Sequence, residues 1–152
     1  MEQPHGNYLI SDDPVRLDVT AIHAYLSQAY WSRNIPLAVV QRAVAGSLCL
    51  GAYDAAGNQV GLARFISDFA TFCYICDVYV LEPDRGHGLA QAMLALADQH
   101  PKLQGLRRWN LVTRDAHGLY DKSGFKSIAH PERYMERLDP VAYRRLADGE
   151  GS

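Results

Sequence analysis

Apolar positions in this chain fall into short runs divided by Gly, Pro and Asp, and their period changes from one run to the next. Tyr8-Leu9-Ile10-Ser11 predicts a first strand, turned by Asp12-Asp13-Pro14. Leu17, Ile22, Tyr25, Leu26 and Ala29 recur near the helical period and predict a helix capped by Asp18 or Thr20 and running to Tyr30. After a loop over 31–34, Pro36 suits the first turn of a second helix that continues to Ala45 and stops at Gly46. Leu48–Tyr53 and Gln59–Ser67 predict a hairpin closed over 54–58, and Phe72–Leu81 predicts the most apolar strand. A helix from Gly88 to about His100, a strand over Trp109–Thr113 and a short helix over Leu119–Ser123 that ends at Gly124 follow. Phe125–Ile128 and Tyr134–Leu138 are expected as the last two strands. The order β-α-α-β-β-β-α-β-α-β-β predicts an α/β fold, a mixed sheet with helices on both faces, in a single domain over 1–152.

The junction Val78-Tyr79-Val80-Leu81-Glu82-Pro83-Asp84-Arg85-Gly86-His87-Gly88-Leu89-Ala90 carries the strongest chemical signal. A helix whose first turn is nearly free of side chains points its unpaired N–H groups outward at the positive end of the macrodipole, which makes an anion site. Glycine lets a ligand approach the backbone closely, and Arg85 adds a planar cation. No Gly-Lys-Ser/Thr follows, so this is not a Walker loop; a third glycine and a ribose-binding acid are missing, so it is not a dinucleotide fingerprint. A plain strand–turn–helix junction is the competing explanation. Arg85-x-x-Gly88-x-Ala90 resembles the pyrophosphate loop of the GCN5-related N-acetyltransferases (GNAT), with Glu82 standing between the strand and Pro83. Downstream, Tyr120-x-x-x-Gly124-Phe125, on a predicted short helix after a strand, resembles the second cofactor segment of the same family.

Composition narrows the function classes. Hydrophobic residues make up 48% and charged residues 21% of the 152 positions, the balance of a globular domain with a proper core. A formal net charge of −2 argues against a nucleic-acid or anionic-membrane partner. No apolar run approaches the ~20 residues that span a bilayer, and the N-terminal residues lack the basic flank and apolar stretch of a signal peptide. The expected location is therefore cytoplasmic. Cys49, Cys73 and Cys76 sit in strand-like runs and read as packed thiols; Cys73-x-x-Cys76 has no second ligand pair, so no metal site is expected.

The resemblance implies a mostly antiparallel twisted sheet and an N-acetyltransferase that uses acetyl-CoA as cosubstrate, with a small-molecule amine, or a protein amine, as acceptor. It implies pantetheine pairing along Val78, Tyr79 and Val80, pyrophosphate binding by Arg85, Gly86, His87, Gly88, Leu89 and Ala90, and Tyr120 as the acid that protonates the leaving thiolate. From the residues themselves, Asp77 is the candidate base, because an acid inside an apolar strand is costly unless paired or functional. A hydrogen-bonded structural acid is the equal alternative. His87 is expected near phosphate and His117 as a cap of the short helix; Tyr25, Tyr30, Trp31 and Phe69 are candidates for the acceptor cleft or for core, and Arg114-Asp115 for a site contact or a surface pair. A non-catalytic acyl-CoA sensor is the rival function, and a homodimer is left open.

Overall fold

Main-chain pairing collects six strands into one sheet in the order β1 (Glu2–His5), β2 (Tyr8–Ser11), β3 (Leu48–Tyr53), β4 (Gln59–Ser67), β5 (Phe72–Val80) and β6 (Arg108–Leu111). The computed structural model describes residues 1–149; Glu150, Gly151 and Ser152, the end of the expected 1–152 domain, lie outside the described residues. β1 to β5 run antiparallel to their neighbours, and β6 joins β5 in parallel. The helices are α1 (Val19–Leu26), α2 (Leu37–Ala45), α3 (Leu89–Asp98), α4 (His117–Asp121) and α5 (Ala142–Ala147). This is the mixed α/β architecture that the element order predicts, with the mostly antiparallel sheet that the resemblance implies.

Strand alternation builds two cores, one on each face. Leu50, Ala52, Phe65 and Ile75 meet Leu89, Met93, Leu96 and Ala97 of α3. Cys49, next to Leu50, points the other way, and with Leu62 and Tyr79 it meets Ile22, Leu26 and Val40 of α1 and α2. Each fully buried Leu, Ile or Met contributes roughly 1.5–3 kcal/mol. Asp18 caps α1 by accepting the Ala21 N–H at 2.9 Å. α1 stops at Leu26, short of the expected Tyr30, because Asn34 N–H bonds the Ser27 carbonyl and the Ser32 hydroxyl bonds the Leu26 carbonyl at 2.7 Å.

Both chain ends depart from expectation. The N-terminus adds β1, which the sequence conceals: Glu2-Gln3-Pro4-His5 has no apolar alternation, and Pro4 is tolerated because the strand lies at an edge. The strands expected over 125–128 and 134–138 do not form. A three-residue 3₁₀ turn at Pro131–Arg133 divides the segment, and Met135 and Leu138 stay 98% and 72% exposed with no face to bury. Tyr134 reaches β6 through side chains alone, accepting from Arg108 at 3.2 Å and Asn110 at 3.5 Å. α5, equally unexpected, brings Tyr143 against the α1–α2 core. No helix among the described residues is long and apolar enough to cross a membrane.

A methyl group on Gly51 would overlap the ring of Tyr53, whose side chain is fully buried. Gly51→Ala should therefore cost about 1–3 kcal/mol by overpacking, read as a lower urea midpoint at unchanged m-value.

Candidate functional site

β5 has neighbours on both sides only along its first half. Its parallel pairing with β6 ends at Ile75–Leu111, while β5 itself continues to Val80. On the other side the register with β4 jumps between Leu62–Tyr79 and Arg64–Cys76, so two residues, Asp77 and Val78, stand opposite Ala63. This is a β-bulge, with Asp77 at φ +52°, in the left-handed region that a non-glycine residue seldom occupies. The combination leaves a V-shaped opening in which Asp77, Val78, Tyr79 and Val80 present a strand edge without a β6 partner. An extended ligand with amide groups can complete that edge.

The opening leads to the glycine loop. Gly86 and Gly88 have φ +85° and +73°, and a Cβ on Gly86 would meet no atom within 4 Å. Gly88 caps α3 without a side chain, so the first N–H groups of the helix stay available to an anion. Leu89 is buried and anchors the helix start, with Ala90 following it half-buried. Arg85 folds back to donate from Nε to the Val80 carbonyl at 3.0 Å, joining loop to strand. The N-terminal hairpin braces the same loop: His5 Nε2 donates to the His87 carbonyl at 2.7 Å, and Tyr8 donates to Asp84 at 3.0 Å. The His87 ring itself lies against Tyr8, centroids 5.3 Å apart. The loop's donors and open space suit a pyrophosphate.

Asp77 forms the charged floor of the opening. Its Oδ2 accepts from Arg64 Nε at 2.7 Å and its Oδ1 from the Trp31 indole N–H at 2.9 Å; Arg64 also donates to the Ser47 hydroxyl at 3.0 Å. Burial works against the Arg64 charge, but Asp77, with Cys76 and Cys49 adding to it, outweighs burial and the guanidinium's pKa is raised. Above this pair lies an aromatic wall. Tyr25 stacks on Tyr79 at 3.8 Å, Trp31 lies 6.3 Å from Tyr25, and Tyr30 meets Trp31 edge-on at 5.1 Å. Tyr143 of α5 has its phenol pKa raised by burial and then by Asp77, with Arg64 opposing.

Tyr120 sits on α4, 9% exposed, its ring edge-on to Phe125 at 6.0 Å. Its hydroxyl makes no hydrogen bond among the described residues. Burial raises its pKa above the ordinary phenol value of 10.0, and Tyr30 and Cys76 add smaller increments. The ring packs in the core on the α3 side of the sheet, in one cluster with Ile75 of β5 and Leu89 of α3. Burial likewise pushes the Cys76 thiol up to about 12, so it stays protonated and packed.

The residues singled out by sequence divide clearly. Asp77 to Val80 and Arg85 to Ala90 follow one another along one opening, with Tyr25, Tyr30 and Trp31 at its Asp77 end, and Tyr120 packs in the core beside α3. Phe69 lies apart, with Lys102 5.8 Å over its ring, and His117 begins α4 with an exposed side chain. Arg64, Ser47, His5, Tyr8 and Tyr143 were missed. Arg64 had a signal: it is the lone charge in the apolar run of β4, as Asp77 is in β5, and adjacent strands pair such charges. No group of three or more His, Cys, Asp or Glu gathers for a metal among the described residues.

Comparison with known proteins agrees with this geometry. The family model described as an acetyltransferase (GNAT) domain matches residues 45–127. A crystal structure from Xanthomonas campestris, assigned as an acetyltransferase of the GNAT family, is 48% identical, with 93% of this chain and 98% of that chain covered at a TM-score of 0.86. A protein of Gibberella zeae assigned as an acetyltransferase is 35% identical over 78% of each chain. A Clostridium acetobutylicum acetyltransferase crystallised with acetyl-CoA shares the fold at 18% identity, with a TM-score of 0.63 and 87% and 95% of the two chains covered.

Asp77→Ala should leave the Arg64 guanidinium, 15% exposed, without its carboxylate. The expected loss is about 3 kcal/mol of unfolding free energy in urea, with Asp77→Asn losing less because it keeps an acceptor for Trp31.

Proposed function

Since the chain belongs to the GNAT acetyltransferase family, we propose that it transfers the acetyl group of acetyl-CoA to the primary amine of a small molecule, with Tyr120 as the proton donor. The observation that carries this reading is the continuity of the opening. The glycine loop follows directly on the unpaired edge of β5, as pyrophosphate follows pantetheine in acetyl-CoA, and Tyr120 packs in the core cluster that holds Ile75 of that strand and Leu89 of α3.

The cosubstrate supplies an acetyl group activated as a thioester; the acceptor nitrogen bonds to its carbonyl carbon as the carbon–sulfur bond breaks. The chain's residues do the rest. N–H groups of the loop and of α3 hold the pyrophosphate, with Arg85 bracing loop to strand. The main chain of Val78 to Val80 pairs with the pantetheine amides, and an N–H of the bulged edge holds the carbonyl oxygen as it gains charge. Tyr120 gives its proton to the departing thiolate.

An alkylammonium, with a pKa near ~10, must lose a proton before it attacks. Asp77 is a carboxylate on the free edge of β5, but both of its oxygens already accept N–H bonds. We therefore assign Asp77 to holding Trp31 and Arg64 in place, with the ammonium proton leaving through water in the opening. A pH-rate profile of Asp77→Asn separates the roles: an anchor leaves the shape of the profile intact, whereas a base takes its ascending limb away. A sensor that merely bound acyl-CoA would have no use for a proton donor at the sulfur.

Gly88→Val should abolish acetyl-CoA binding in titration calorimetry while the protein still melts cooperatively. A branched side chain at φ +73° is strained and fills the space before α3. Binding equal to that of the parent would remove the loop from the site.

Tyr120→Phe should lower kcat by roughly 10²–10⁴ with little change in acetyl-CoA affinity. A raised phenol pKa keeps the proton on Tyr120 through neutral and mildly alkaline pH and releases it only as pH climbs past the ordinary value of 10.0. The parent's kcat should consequently show no falling limb attributable to Tyr120 below about pH 10. An earlier fall that vanishes in Tyr120→Phe would contradict this environment.

A further inference from the structure

The β6–α4 loop faces the aromatic wall with one positively charged side chain whose role the transfer chemistry leaves unassigned. Thr113 Oγ1 accepts the Ala116 N–H at 3.0 Å and tightens the turn after β6. From this turn Arg114 extends over Tyr30, its guanidinium carbon 3.9 Å from the ring centroid. A guanidinium stacked in this way is held by its face while its N–H donors remain in the plane, directed outward.

Those donors are almost uncommitted. The one contact is from Nη2 to Asp115, its chain neighbour, at 3.4 Å between two largely exposed side chains. That is long beside the roughly 2.7–2.9 Å of a charge-assisted bond. Arg64 differs, because it is spent on Asp77 and Ser47. The opening thus holds one neutralised ion pair at its floor and one oriented guanidinium at its rim.

Tyr30 connects that rim to the free edge of β5. Its ring carries Arg114 on one face and meets Trp31 edge-on, and the Trp31 indole bonds Asp77 at the bulge. The guanidinium is therefore joined to the bulged edge through two rings in contact. An acceptor seated along this wall can turn its amine to the edge and its remaining polar groups to Arg114.

Resting on the acetyl-transfer reading, we infer that Arg114 selects the acceptor: the substrate is an amine that also carries a carboxylate, taken in the fork of Arg114 while Tyr30 holds the guanidinium flat. The carboxylate replaces the loose Asp115 contact with two short parallel bonds. Arg114 acts here as a specificity residue and takes no part in proton transfer.

The test uses matched probes that differ only in the carboxylate: tyrosine against tyramine, and 5-aminopentanoate against pentylamine. Calorimetric titration into the full chain saturated with CoA measures binding without turnover. The carboxylated member of at least one pair should bind about tenfold or more tighter, as a charged hydrogen-bonded pair implies. Arg114→Gln should bring that ratio close to one, and Arg114→Lys should restore only part of it. Because the readout is a ratio, a general loss of stability or affinity in the variant does not imitate the result. A ratio near one in the parent, an unchanged ratio in Arg114→Gln, or no saturable binding of either carboxylated probe overturns the inference. Acetyl transfer from acetyl-CoA to the four probes is followed in parallel. Selective binding without any transfer would refute the transferase reading and leave the carboxylate site standing; transfer without preference would do the reverse.

Discussion

A strand that loses a neighbour halfway along a sheet must satisfy its main-chain groups elsewhere, and β5 is such a strand. β6 leaves it after Ile75, and the two-for-one bulge at Asp77 turns the remaining edge away from β4's regular register. The left-handed conformation at Asp77 costs free energy, on the order of 1–3 kcal/mol for such outliers. Arg64 and Trp31 hold it there, and each comes from a different element: Arg64 from β4, Trp31 from the α1–α2 connection. The ion pair thus fixes a backbone distortion and an aromatic wall together. Remove it, and both the opening and one of its sides lose their reason to stay put.

The glycine loop is stabilised from three directions. α3 buries Leu89 and Met93 under the sheet, Arg85 ties the loop to Val80, and the β1–β2 hairpin lays His5 and Tyr8 across it. An anion site made of bare N–H groups needs such support, because glycines lower the steric cost of a conformation without enforcing it. His5 bonds the His87 carbonyl from outside the loop and leaves the N–H groups of α3 free.

Much of this site was readable in the residues, for reasons that can be traced. Gly86-x-Gly88 before an amphipathic helix predicts a bare N-terminus at α3 because the signal is local. Tyr120 and Gly124-Phe125 were legible through likeness to a family pattern, and the lone acid at Asp77 through its cost in an apolar strand. Partners distant in sequence were not. The sequence leaves Asp77 equally a base or a hydrogen-bonded structural acid, and no periodicity encodes the contacts with Arg64 and Trp31 that favour the second. The hidden β1 has polar residues because it lies at an edge. The expected final strands failed for the opposite reason: Tyr134, Met135 and Leu138 supply apolar residues without a strand's alternation, and no face is offered to them. Pattern reports what a segment is able to bury, and topology decides whether it does.

Tyr79 has its main chain on the unpaired edge of β5 and its ring beneath Tyr25 of α1 at 3.8 Å. On the proposed reading, one strand is then the track for the cosubstrate and the foundation of the wall that meets the acceptor. Two ligands seated on such a shared element have linked affinities whenever its position shifts: whatever the first does for the second, the second returns in equal measure.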